Sequence, residues 1–182
     1  KDWIIIPIFT WIINPWEYIN EVKNVSKYSE KYQFLKWLET LEWFLYPDTY
    51  FIDLNTFSVE QTVSRQLDTF EKKVFKTLLS NKSQNEIYEI IKISSIVEKE
   101  EKNKLEQPTV AWILIKRYKE NWMIWADITA CYPYEYTENE CRLNLSKHIK
   151  EKNNYNTRTM VWLPKTPINN PSYTTINNTI NY

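Results

Sequence analysis

The segment Ser94-Ser95-Ile96-Val97-Glu98-Lys99-Glu100-Glu101 ends a helical pattern on carboxylates, set at the edges of an apolar face. Ile87, Ile90, Ile91, Ile93, Ile96 and Val97 share one broad arc at roughly 100° per residue. Two residues of an α-helix differ by about 200°, so Glu98 and Glu100 occupy opposite edges and do not form a facing pair. A carboxyl group half-withdrawn from water beside such a face gains a raised pKa and becomes a usable general acid. The plainer alternative is two solvated helix-end charges, with Lys102 and Lys104 four residues on from each. The helix itself opens on a capping box, Ser83-x-x-Glu86.

The elements around it read as an α+β protein. Asn14 as N-cap and Pro15 at the first helical position predict a helix through about Lys23. A second helix is expected over Ser29 to Leu38. With the Ile-rich opening these look like a small α+β module that has lost its first strand. Leu41 to Phe51 predicts a loop, kept irregular by Pro47, that feeds an aromatic, β-branched strand. After Ser58-x-x-Gln61, a second capping box, Val59, Val63, Leu67, Phe70, Val74 and Leu78 mark a long amphipathic helix whose stripe is core. Gln107-Pro108 starts another, with Val110, Ile113, Leu114 and Arg117 on one face. Arg117 there takes either a buried carboxylate, from Glu98 or Asp127, or a substrate group. Beyond Asn121 the periodicity fades into Asp127, Thr129, Tyr132, Tyr134, Tyr155-Asn156-Thr157 and the proline-stiffened Leu163 to Pro171. That composition suits a polar groove or an ordinary surface loop.

Lysine plus arginine number 23 and aspartate plus glutamate 23, so there is no basic footprint for nucleic acid. One histidine, His148, and two cysteines, Cys131 and Cys141, specify neither a metal cluster nor a Cys/His nucleophile. The cysteines are either a small disulfide loop or two free thiols. The chain has 182 residues, no glycine and nine tryptophans, where average usage near 7% would supply about 13 glycines. Trp16, Trp43 and Trp162 stand where the chain turns. This pattern predicts that UGA codons meaning glycine were translated as tryptophan; a genuine Trp-rich ligand surface is the competing reading. Lys1 is no start methionine, which reads as a piece of a longer protein. The apolar run from Trp3 to Ile13 is broken by Pro7 and falls short of the roughly 20 residues that cross a bilayer.

Ser95-Ile96-Val97-Glu98-Lys99-Glu100, Phe44 to Tyr50, the Val110 to Tyr118 helix with Arg117, Tyr155-Asn156-Thr157, and Trp162-Leu163-Pro164 with Pro167 to Pro171 together resemble the YceG-like, MltG-type endolytic murein transglycosylases. The motifs keep the family's order and spacing from about Leu41 to the end. The family pattern has glycine at Trp43, Trp112, Trp125 and Trp162; Trp16 and Trp37 join them. Departures are Ile128 for proline after Asp127, and the loop carrying Cys131 and Cys141.

The resemblance implies a partial LysM-like module over residues 1–40 and a C-terminally truncated catalytic domain over 41–182. It implies lytic cleavage of the MurNAc–GlcNAc β-1,4 bond of bacterial peptidoglycan strands, leaving 1,6-anhydro-MurNAc ends. Glu100 would be the single acid and base. Glu98, Arg117, Asp127, Thr129, Tyr155, Asn156, Thr157 and Asn169 would support it or bind sugar, with no metal and no organic cofactor. Partners would be glycan strands and the cell-wall synthesis machinery. The parent would be tethered to the cytoplasmic membrane and work on its outer face. The alternatives are a non-catalytic peptidoglycan-binding scaffold and a conventional hydrolase using Glu100 with Asp127.

Overall fold

Ser83 Oγ and the Glu86 carboxylate form the predicted capping box: Ser83 N and Oγ both donate to Glu86 Oε2 at 2.7 Å. In this computed structural model, which describes residues 14–36, 38–51, 55, 57–134 and 136–182, the helix they start runs over Gln84–Glu100. Among the described residues it is the fourth of eight α-helices: α1 Pro15–Lys23, α2 Val25–Ser29, α3 Val59–Phe70, α4 Gln84–Glu100, α5 Gln107–Lys119, α6 Asp127–Cys131, α7 Glu138–His148 and α8 Tyr173–Ile180. The opening run 3–13 and Trp37 lie outside the described residues. No helix among the described residues is long and apolar enough to cross a membrane.

The expected α+β class is overturned: the described residues contain helices and turns but no strand. A strand needs a partner edge along its whole length. Leu41 to Leu45 instead tightens into a 3-10 turn at Glu42–Phe44 that buries Trp43 and Phe44. Residues 46–51 carry no regular structure, and 52–54 lie outside the described residues. In the C-terminal loops the backbone makes single bonds rather than ladders, Trp125 N to Thr157 O at 3.1 Å and Lys165 N to Asn154 O at 2.9 Å. Pro164, Pro167 and Pro171 interrupt any continuation.

The helix expected over Ser29 to Leu38 is displaced: α2 ends at Ser29 and a 3-10 turn covers Gln33–Leu35. Between them Tyr32 is extended (φ −111°, ψ 101°), which sends its ring into the core and its hydroxyl to Asp68 Oδ1 at 2.8 Å. After α3 the chain continues over Glu71–Leu79 as a π-helix. Its wider turns move the buried stripe from the expected Leu78 to Leu79, five residues after Val74.

The chain divides into two compact units, one ending at Ile87 and one spanning Tyr88–Tyr182. In the first, Phe34 packs on Phe44, Phe70 and Phe75 at ring separations of 5.0 to 5.8 Å. Each fully buried phenylalanine is worth roughly 2–3 kcal/mol of burial. In the second, Ile93, Ile96 and Val97 of α4 meet Ala111, Leu114 and Ile115 of α5, together with Ile124, Ala126 and Ile168. Ser95 Oγ accepts from Ile168 N at 3.0 Å, fastening the proline-rich loop to α4.

Candidate active site

Helix α4 delivers Glu98 and Glu100 to different neighbours. Glu98 Oε2 accepts from Ser172 N (3.2 Å), Ser172 Oγ (3.0 Å) and Thr175 Oγ1, while Lys104 Nζ donates to Oε1 at 3.0 Å. Ser172 is the N-cap of α8 and Thr175 its third helical residue. A capping box therefore closes here through a glutamate borrowed from another helix. Burial opposes the charge on Glu98, but the hydrogen bonds from Thr175, Lys104 and the Ser172 backbone prevail and hold its carboxyl below the ordinary range.

Glu100, the last residue of α4, stays open to solvent. Its carboxyl is nonetheless pushed up, first by the protein packed around it and then by the negative charge of Asp127. A hydrogen bond from the Ile128 backbone N–H and the positive charge of Arg158 oppose this without cancelling it. Asp127 is the first residue of α6 and accepts a close hydrogen bond from Arg158 Nε. Lys99 and Lys102 pair with Glu138 of α7.

Behind this trio lies a buried knot. Thr157 Oγ1 accepts from Ala126 N at 3.1 Å, Thr129 Oγ1 accepts from Thr157 N at 3.1 Å, and the two hydroxyls meet at 2.9 Å. Asn156 donates to the carbonyls of His148, Ile149 and Glu151, closing the end of α7, and its Oδ1 accepts from Arg158 N at 3.0 Å. Thr129, Asn156 and Thr157 are fully buried. Their polar atoms are used on the protein's own backbone, where they hold Asp127 and Arg158 in place. Tyr155 is half-buried, its ring on Tyr132 and its hydroxyl on Thr166 Oγ1 at 3.1 Å. The buried Oδ1 of Asn169 has no hydrogen-bond partner.

Arg117 pairs with neither Glu98 nor Asp127. Its guanidinium donates to Ile124 O at 2.8 Å and lies over the Trp125 ring. Half-exposed, it needs no buried carboxylate and instead braces the loop after α5. That loop begins as a Schellman turn: Trp122 N donates to Arg117 O at 2.8 Å, and Asn121 takes the left-handed conformation (φ 56°). Arg158 has no precedent in the sequence reading. Its one signal is adjacency to Tyr155-Asn156-Thr157, in irregular backbone where no periodicity says which way a side chain faces.

The YceG-like family model matches residues 8–182. The chain belongs to the YceG-like family. Its fold is similar to the crystal structure of a yceG-like protein from Listeria monocytogenes, at a TM-score of 0.77 and 20% identity over 92% of this chain. This YceG-like chain spans 58% of that protein's length. No curated protein matches it. Within the YceG-like chain, the trio of Glu100, Asp127 and Arg158 belongs wholly to the unit spanning Tyr88–Tyr182.

Proposed function

We propose that this YceG-like chain carries the catalytic centre of an endolytic murein transglycosylase, with Glu100 as both acid and base. One observation carries the reading. The carboxyl groups of Glu21, Asp48, Asp68, Glu86, Glu98, Glu138, Glu140 and Glu151 are all held below their ordinary value. Glu100 is pushed the other way while remaining reachable from solvent. A carboxylic acid that keeps its proton nearer neutrality is what protonation of a glycosidic oxygen requires.

In the first step Glu100 gives its proton to the oxygen linking MurNAc to GlcNAc. The C1–O bond breaks, the electron pair leaves with GlcNAc, and positive charge develops at C1 of MurNAc. The Glu100 carboxylate then takes the proton of the MurNAc 6-hydroxyl as that oxygen attacks C1, closing the anhydro ring and restoring the acid. One carboxyl suffices because the substrate supplies its own nucleophile, unlike the two-carboxylate glycosidases. The Ile128 N–H orients the carboxylate, and Asp127 places negative charge near the developing cation. The Cys131–Cys141 disulfide fits work outside the cytoplasm, on the outer face of the membrane. The substrate class comes from the family resemblance.

The test is mass spectrometry of purified glycan strands incubated with the protein and with Glu100→Gln. New 1,6-anhydro ends with the former, absent with the latter, are the expected result. Reducing ends would indicate a hydrolase, and strands bound intact by both proteins a scaffold.

A further inference from the structure

Glu100 sits where a helix is least secure. The last four carbonyls of an α-helix have no partner within it, and such ends fray. Glu100 is the final residue of α4, yet the chain is gripped on both sides of it. Two residues before it, the Glu98 carboxylate is held by Ser172 and Thr175 at the start of α8. One residue after it, Glu101 continues the helical ladder with its N–H on Val97 O at 3.0 Å, and its carbonyl accepts from Gln107 Nε2 at 2.9 Å. The second bond closes a free carbonyl at the α4 terminus with a side chain from the first turn of α5.

Gln107 is 0% exposed, where glutamine is ordinarily a surface residue. Both polar ends of its side chain are used outside α5, Nε2 on Glu101 O and Oε1 accepting from Asn178 Nδ2 at 3.3 Å. Asn178 Nδ2 also donates to Lys104 O at 2.8 Å. Ser172, Thr175 and Asn178 follow one another at steps of three, so one face of α8 meets α4, the loop 101–106 and α5. Packing α5 at this point asks only for an apolar residue of the right size; the amide adds a directed bond to one carbonyl.

We infer that Gln107 and Asn178 are positioning residues for the reaction: Asn178 orients the buried Gln107 amide, Gln107 caps the carbonyl that follows Glu100, and the last turn of α4 thereby presents the Glu100 carboxyl at one fixed place. The inference rests on Glu100 being the acid and base. Helical rotation makes the grip directional. With Glu98 held at α8, Glu100 lies about 200° further round the helix, where the Ile128 N–H donates to it. An opened last turn loses that rotation, and a displacement of about 1 Å can slow a reaction by about 10²-fold.

The experiment combines amide hydrogen exchange with steady-state cleavage of purified glycan strands, each well below the Tm of the variant. Gln107→Leu is expected to speed exchange at Glu100 and Glu101 relative to the middle of α4, and to lower kcat by about tenfold with KM within about twofold of the parent. Asn178→Ala is expected to move both in the same direction by less. Ile176→Val trims a fully buried α8 side chain outside this set of hydrogen bonds and is expected to lower Tm without lowering kcat. Unchanged exchange at Glu100 and Glu101 in folded Gln107→Leu overturns the inference, as does an unchanged kcat or an equal fall of kcat in Ile176→Val. Should Gln107→Leu not fold, Asn178→Ala is read against Ile176→Val by the same criteria. A parent that leaves no 1,6-anhydro ends defeats the transglycosylase reading, and exchange at Glu100 and Glu101 then still decides whether Gln107 holds the turn.

Discussion

At the scale of single residues, the same effect that arms Glu100 costs stability. Its folded pKa lies above its unfolded one, so its contribution to stability is fully present below the unfolded value and is lost as pH rises through the folded value. Glu100→Gln removes that loss. The variant is expected to resist urea better than the parent at neutral pH, with the gap closing as the medium becomes acid. Equal midpoints across the pH range would show that Glu100 is an ordinary surface carboxylate. Trp125 is strained for a different reason. Its φ of 61° lies in the left-handed region, where a bulky L-residue pays about 1–2 kcal/mol. Against that stands its contact with Arg117, worth about 0.5 kcal/mol at an exposed site. The backbone term wins, so Trp125→Gly should stabilise the fold by roughly 0.5–1 kcal/mol, read by urea denaturation.

At the scale of elements, α8 depends on one carboxylate from α4. Glu98→Ala leaves Ser172 N and Thr175 Oγ1 without their acceptor and should cost about 2 kcal/mol, with α8 amides exchanging faster than those of α5. The folded pKa of Glu98 is depressed, so this clamp holds above the unfolded pKa and fails as pH falls through the folded one. The disulfide between Cys131 and Cys141 joins α6 to α7, closing a loop of sequence separation 10. Replacing both cysteines by serine should cost about 3 kcal/mol by loop entropy, visible as a lower Tm. Helix starts were legible in the sequence because caps are local: Asn14, Ser58 and Ser83 each accept from a backbone N–H two or three residues on. The opposed placement of Glu98 and Glu100 was legible because helical rotation is fixed. The strand expected after Pro47 does not form among the described residues, since pairing depends on a distant edge whose presence Thr49 to Phe51 cannot announce. The move from Leu78 to Leu79 was hidden in a hydrogen-bond register, and Arg158 in backbone without a period.

At the scale of the whole molecule, five of the six described tryptophans are on the wrong side of the fold. Large aromatic rings are buried on average because each withdraws some 150–250 Å² from water. Yet Trp16, Trp112, Trp122, Trp125 and Trp162 are 49% to 74% exposed. Trp16 sits at the start of α1, Trp112 lies against Lys116 on α5, and Trp162 lies in the proline-rich loop. Glycine loses nothing by exposure, and at position 125 it would relieve the backbone. Trp43 is the counterexample, since it is buried in a 3-10 turn where glycine would leave a cavity. Peptide mass spectrometry of the protein made by its own source cells decides position by position. Glycine is expected at 16, 112, 125 and 162, and the decisive position is 43, because there packing and the family pattern disagree. Tryptophan at the exposed positions would defeat the recoding reading and leave five solvated rings to be explained by binding.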